Sequence, residues 1–346
     1  MSPSPTADDR AAALHRAAIV INGLCQGGET LEQVVASALA GGVTATNLTV
    51  AVSEGFAEAA RAIEAVFSGV EQLQAQYPVR VATSVKEILA AKQAGGTALV
   101  IGFQDATPLE GRLEHLRLFS RLGLRILQLT YQRRNLLGDG CGEPADAGLS
   151  LFGQAVIAEA NRLGVLIDLS HVGYRSTMEA IEASRAPVTF SHVNLYRRNP
   201  IPRNKRDDQI VALARKGGVV GINAISRLLS PHGRTHGATL AEYLDQIDEV
   251  VRLVGIEHVG IGLDIYEGLT PAGFERRKQT FLATFPELQV GGDFPLETYW
   301  VTGLSSAAQL PSLTASLLDR GYGEAEVRAV LGENFLRLFR AAWQPT

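Results

Sequence analysis

The sequence predicts an α/β chain folded as a (β/α)8 TIM-type barrel, and three observations predict it. Eight short runs rich in Val, Ile and Leu recur along the chain. They lack the clean alternation of a half-exposed strand, as expected for parallel strands covered on both faces. Helix-length segments separate them, and glycine often closes the helical pattern before the next run. Residues with ligating or acid–base side chains stand at or just beyond the ends of three runs, where a barrel of this kind builds its site.

In chain order the first two strands are Ala18–Asn22 and Val43–Val50. Helical patterns over Glu54–Leu73 and Val85–Gln93 lead to the third strand, Ala98–Phe103. Leu113–Leu122 leads to Arg125–Thr130, and Leu151–Arg162 to Val165–Ser170. Thr177–Ala183 precedes the sixth strand, Val188–Ser191, and Asp207–Lys216 precedes Val219–Asn223. Leu240–Val254 leads to the last strand, Val259–Leu263. Gly95-Gly96, Gly123, Gly164, Gly217-Gly218 and Gly255 stand between helix and strand. Residues 1–15 read as an N-terminal extension. Residues 310–343 read as two helices packed on the barrel, with Gly321 and Gly323 between them. No linker divides the chain, so 1–346 is expected to be one barrel domain.

Composition narrows the function. The 346 residues are 46% hydrophobic and carry a formal net charge of −4. There is no Lys/Arg tract for nucleic acid and no apolar stretch of membrane-spanning length. The start, Met1-Ser2-Pro3-Ser4-Pro5-Thr6-Ala7-Asp8-Asp9, lacks a basic region and an apolar signal core. The two cysteines cannot build a disulfide framework, so a cytoplasmic protein is expected. The expected partner is a small molecule; neither nucleic acid nor a membrane is expected, and a homodimer is left open.

His171 ends the run Val165-Leu166-Ile167-Asp168-Leu169-Ser170, and His192 ends Pro187-Val188-Thr189-Phe190-Ser191. One such histidine reads equally well as a satisfied core residue. Two on successive strands, with Asp264 after the eighth, favour a metal or catalytic site. Asp264 suits an acid–base or ligand role there, or a helix cap. Arg203 lies in the loop after the sixth strand, Asn199-Pro200-Ile201-Pro202-Arg203-Asn204-Lys205-Arg206-Asp207-Asp208. Most charges in that loop read as solvated, but the fork of Arg203 fits a substrate carboxylate.

These residues carry a resemblance. Gly148-Leu149-Ser150-Leu151-Phe152-Gly153, Glu159 through His171, Ala186 through His192, Arg203-Asn204 with Asp207-Asp208, Gly260-Ile261-Gly262-Leu263-Asp264 and Gly332-Glu333-Asn334-Phe335-Leu336-Arg337 resemble the membrane (renal-type) dipeptidases, peptidase family M19. The match runs in order over roughly residues 16–340. It implies an amidohydrolase-like barrel that hydrolyses dipeptides, including ones with a D- or dehydro residue at the C-terminal position, with two zinc ions. By motif, His171 and His192 match the histidines of one zinc site and Asp264 the acid/base carboxylate. Arg203 matches the arginine that holds the substrate carboxylate, with Asn204 beside it.

The chain departs from the family at the other metal. Leu24 and Gln26 stand where a His-x-Asp pair belongs, Gln104 replaces the bridging glutamate, and Tyr131 replaces a histidine that polarises the scissile carbonyl. Leu cannot bind zinc, and a neutral amide cannot bridge two cations. One zinc ion per chain at most is therefore expected, on His171 and His192. Cys141, in the Gly-rich loop after the fourth strand, is a candidate third ligand; Cys25, Asp139 and Glu143 are weaker ones. Asp105 is expected to face away from the site. The expected activity is hydrolysis of a small carboxylate-bearing amide, with Asp264 activating water and Tyr131 or Gln104 donating to the oxyanion. A non-hydrolytic tailoring enzyme of a biosynthetic pathway and a binding homologue without turnover are the alternatives.

Overall fold

The computed structural model describes residues 6–285 and 295–344. Ten parallel strands are present among them: β1 (Ile21–Gly28), β2 (Ala45–Ala51), β3 (Val79–Val81), β4 (Thr97–Phe103), β5 (Leu124–Gln128), β6 (Leu166–Asp168), β7 (Thr189–Val193), β8 (Val219–Ile222), β9 (Val259–Ile261) and β10 (Ile265–Glu267). Eight of them, β1, β2 and β4 to β9, pair in sequence, and Asn22 of β1 pairs with Ile261 of β9 to close the ring. The barrel is therefore the one the eight apolar runs predict. The first strand starts three residues later than expected and runs on to Gly28, because its end pairs with β10 (Gly28 opposite Glu267). The two unexpected strands, β3 and β10, are three residues each, too short to leave a periodic signal.

Helices cover the outside of the ring. Those expected are present with shifts of up to three residues at their ends; the expected Thr177–Ala183, for example, begins at Tyr174. Besides the four-residue helix Ser226–Leu229, three helices among the described residues were not expected. Leu31–Ala40 is started by a capping box between Thr30 and Gln33. Pro271–Thr284 has only a weak apolar stripe. Ala7–Ala17 occupies most of the expected extension, and residues 1–5 of that extension lie outside the described residues. It is pinned by buried His15, whose ring nitrogens lie 2.7 Å from Thr314 Oγ1 and 2.8 Å from Gly41 O. The C-terminal region has more than the expected two helices: Leu310–Asp319, Glu324–Arg328, a π-helical turn Ala329–Glu333, and Asn334–Ala342. Among the described residues no helix is long and apolar enough to cross a membrane.

Two packing features position the site. Phe335 closes the N-terminal end of the barrel, lying so close to Gly260 that a Cβ there would fall 2.5 Å from its ring. Further up the axis, the Ser191 carbonyl of β7 crowds the interior. A Cβ at Gly23, Gly221 or Gly262 would lie 2.6, 2.0 or 2.0 Å from that oxygen. The register of β7 against β8 shifts between Phe190 and Val193. Glycines in β1 and β8 and just past β9 thus make room for β7 to bulge inward beside His192.

Candidate active site

The C-terminal mouth of the barrel opens on a cavity of about 260 Å³. Its lining includes Tyr131, His171, Arg203 and Asp264, with Cys141 and Gln26 beside them. Each comes from a strand end or the loop that follows. Tyr131 lies three residues past β5, His171 three past β6, and Asp264 three past β9. Arg203 reaches in from the loop after β7. Aromatic and apolar groups, among them Phe274, Phe281, Tyr299, Trp300 and Leu228, form the rest of the wall.

His171 and His192 come together: their Nε2 atoms are 3.0 Å apart. Behind them Asp168 accepts from the amides and hydroxyls of both Ser170 and Ser191, at 2.5–3.1 Å. Burial pushes the Asp168 pKa up, and these four donors pull it back. With its proton directed to Asp168, Ser191 Oγ accepts from His192 Nδ1 at 2.6 Å. His192 Nε2 is then an acceptor for Gln104 Nε2 at 3.2 Å and faces His171 Nε2, itself the acceptor for Arg203 Nη2. Both rings are neutral. Burial, then the charge of Arg203, drives each pKa well below its usual value.

Arg203 is buried against this pair. Its Nη1 donates to Ser170 O and its Nη2 to His192 O, both at 2.8 Å. Nη2 also lies 3.1 Å from His171 Nε2. Tyr131 stacks on His171 with ring centroids 4.3 Å apart. Burial first and Asp264 second push the Tyr131 phenol's pKa up, so it stays protonated.

Asp264 stands in the left-handed region, φ 55°, sparsely used by residues other than glycine. Its amide donates to Leu24 O at 3.0 Å, and its carbonyl accepts from Trp300 Nε1 at 3.1 Å. Its carboxylate accepts from Gln26 Nε2 at 3.0 Å and Asn223 Nδ2 at 2.8 Å. Burial raises its pKa, opposed by Arg203 and the two amides. Such a carboxylate can take a proton from water or substrate.

The other expected residues are placed differently. Gln104 is hydrogen-bonded to His192 and does not line the cavity. Asn204 donates to Asn199 O and Leu228 O, which braces the Arg203 loop and keeps its amide out of the cavity. Cys141 lies in the wall, but its thiol donates to Gln132 Oε1 at 3.1 Å, and burial raises its pKa. Cys25 is buried outside the cavity with its pKa pushed up to about 12. Asp139 is held by Arg134 and the Ala147 amide, and Glu143 by the Arg134 amide. Asp105 accepts from the Thr107 and Tyr131 amides at 2.6 Å each, as a brace between loops.

These donors do not fit zinc. Among the described residues no three His, Cys, Asp or Glu side chains form a group able to hold a metal ion. The acceptor lone pair of His192 is engaged by Gln104 Nε2, and that of His171 Nε2 by the Arg203 guanidinium at 3.1 Å. A ligating histidine also anchors its second nitrogen. His171 Nδ1 is buried with no hydrogen-bond partner. The expected set of His171, His192 and Cys141 is not assembled, because Cys141 is turned to Gln132.

Several residues of the site carry no role in the sequence reading. Asn223, which donates to Asp264 from the end of the seventh expected strand, and Arg227, in the cavity wall just after it, had the same strand-end signal as His171. Arg277, Lys278 and Trp300 come from segments with no barrel periodicity, so nothing local marked them.

A model described as "Membrane dipeptidase (Peptidase family M19)" matches residues 16–284 and 286–345. An uncharacterized dipeptidase of Schizosaccharomyces pombe is 30% identical over 258 residues, covering 73% of this chain and 55% of the relative. The dipeptidase aclJ of Aspergillus oryzae is 29% identical, over 70% and 51%. The chain thus spans about half the length of the curated relatives it matches. An amidohydrolase from Pseudomonas aeruginosa superposes with a TM-score of 0.85 at 33% identity, over 96% of this chain and 99% of that one. A metallopeptidase from Rhodobacter sphaeroides, solved with a phosphinate mimic of the dipeptide L-Ala-D-Ala, gives 0.76 at 21% identity, over 94% and 100%.

Proposed function

We propose, from the premise that the chain belongs to the membrane dipeptidase family (peptidase family M19), that it is an enzyme acting on a small amide or dipeptide with a free carboxylate. The observation that carries this reading is the convergence of Asp264, Tyr131, His171 and Arg203 on one aromatic-walled cavity. Family membership favours hydrolysis as the reaction. Arg203, oriented by its bonds to Ser170 O and His192 O, holds the carboxylate by its charge and its remaining N–H groups, a charge-assisted contact contributing about 1.5–3 kcal/mol. Asp264 takes a proton from the attacking water and returns it to the amine nitrogen as the C–N bond breaks. The Tyr131 phenol, kept protonated, donates to the oxyanion that develops on the amide carbon.

A single zinc ion would have two neutral imidazoles to hold it and Arg203 to repel it. The proton steps therefore fall to Asp264 and Tyr131. A second reading, proton transfer without hydrolysis, has one observation in its favour. The same missing carboxylates remove the strongest activator of water but leave Asp264 intact.

Elemental analysis paired with a dipeptide panel tests the proposal. The protein as purified is expected to hold less than about 0.2 zinc per chain and to cleave at least one dipeptide but not its C-terminal amide. Turnover that appears only on adding zinc would remove the metal-free part of the reading. Binding of acids without cleavage would favour the second reading.

A further inference from the structure

We propose that Gln132 is a further substrate-binding residue, whose side-chain Nε2 donates to the second oxygen of the carboxylate that Arg203 holds. The inference rests on the Arg203 assignment and extends it. Arg203 cannot take both oxygens by itself. Its Nη2 donates to His192 O at 2.8 Å and to His171 Nε2 at 3.1 Å, and its Nη1 donates to Ser170 O at 2.8 Å. Each of the two parallel donor pairs of a guanidinium uses an N–H of Nη2, and here both are taken. One carboxylate oxygen can bind the N–H groups that remain, and the other needs a donor from elsewhere.

Gln132 supplies that donor. It lines the cavity directly after Tyr131. A chain of contacts brings it to the Arg203 side. Gln132 Oε1 accepts from the Cys141 thiol at 3.1 Å, Cys141 N donates to His171 O at 2.8 Å, and His171 lies against Arg203. The backbone is held as closely. Gln132 O accepts from Gly142 N at 2.7 Å, and a Cβ at Gly140 would lie 2.3 Å from the same carbonyl oxygen. Gln132 stands at φ 64°. Among the described residues only Gln132, Asp264 and Glu110 enter the left-handed region without being glycine, and the first two line this cavity. With Oε1 committed to the thiol, the amide turns its donor end to a ligand, and Nε2 makes no hydrogen bond among the described residues. A carboxylate seated between Arg203 and this amide has a donor on each oxygen.

Calorimetric titration with N-acetyl-L-phenylalanine and its primary amide tests this. The wild type is expected to favour the acid about 10-fold or more. Gln132→Glu sets a carboxylate against that of the ligand. The acid should then weaken about 10-fold or more, while the amide, which can donate to the new carboxylate, keeps its affinity. Gln132→Met removes the donor without adding charge and should weaken the acid about 10-fold. Retained amide binding reports that each variant is folded. Cys141 is a positioning residue that acts through Gln132. Cys141→Ala should weaken the acid about 3-fold, and Cys141→Ser, which keeps an O–H to donate, should restore it to within about 2-fold. A wild type that does not favour the acid, or that binds neither ligand at millimolar concentration, overturns the Arg203 reading and this inference together. A wild type that favours the acid, with Gln132→Glu and Gln132→Met equally selective, overturns Gln132 alone and leaves Arg203 standing. A loss in Cys141→Ala that Cys141→Ser does not restore overturns the role given to the thiol.

Discussion

The two halves of the barrel mouth are built from the same strand-end positions and carry opposite chemistry. The strand ends of β1 to β4 supply Leu24, Gln26 and Gln104, all uncharged, of which Gln26 lines the cavity. The half formed by β6 to β9 presents His171, His192 and Asp264, with Arg203 folded over them. The neutral half still points at the charged one. Gln26 donates to Asp264, Gln104 to His192, and Asn22 Oδ1 accepts from the Leu263 amide. A metal pair needs anionic ligands from both halves. Here one half has become a hydrogen-bonding frame that fixes the geometry of the other, and geometry can be kept after charge is lost.

The largest expected effect separates the halves directly. Asparagine keeps the shape of Asp264 and tolerates its left-handed backbone. Asp264→Asn should therefore fold normally and lose about 10²–10⁴-fold in kcat. Gln104→Leu, in the neutral half, should lose no more than about 10-fold, the worth of one hydrogen bond. Comparable losses in the two variants would dissolve the contrast. The pH profile sharpens it. The reaction needs ionised Asp264, whose pKa burial raises above 3.8. Activity should therefore fall with decreasing pH at a midpoint above that value, and this limb should vanish in Asp264→Asn.

A smaller effect is expected at Arg203. Arg203→Lys keeps the charge and loses the fork. Binding of an acid-terminated ligand should weaken about 10-fold or more, with little change for its amide. If the wild type does not favour the acid over its amide, the carboxylate seat is elsewhere.

The smallest effect concerns Lys205, buried beneath the charged half. Its Nζ donates to Val172 O at 2.6 Å, and burial lowers its pKa to about 7. Between that value and 10.5 the unfolded chain binds more protons than the folded one, so this group's contribution to stability grows as pH rises. Denaturant midpoints of wild type and Lys205→Met should diverge in favour of wild type from about pH 7 to about pH 10, by at most about 1.4 kcal/mol per pH unit. Parallel curves would mean that Lys205 stays charged in the fold.

The ring of eight strands was legible because each buried parallel strand must be apolar on both faces, a property of a few consecutive residues. The glycine stops were legible for a similar local reason: Gly164, for example, adopts φ 67° where a Cβ would meet Trp343 O at 2.7 Å. His171, His192, Arg203 and Asp264 stood out because strand ends are readable and their side chains are rare there. Arg277 and Trp300 did not, since they reach the cavity from segments whose own patterns say nothing about barrel strands.

The sequence by itself determined which donor side chains exist at the mouth. Only the tertiary structure decided what those groups do. It set His171 against His192 at 3.0 Å, laid Arg203 across them, and turned Cys141 to Gln132. Among the described residues it also brought Arg203, Arg227 and Arg277 to the wall that holds Asp264. The physical reason is that a side chain's identity is local, whereas its protonation state and partners depend on burial and on charges brought close from strands and loops far apart in the chain.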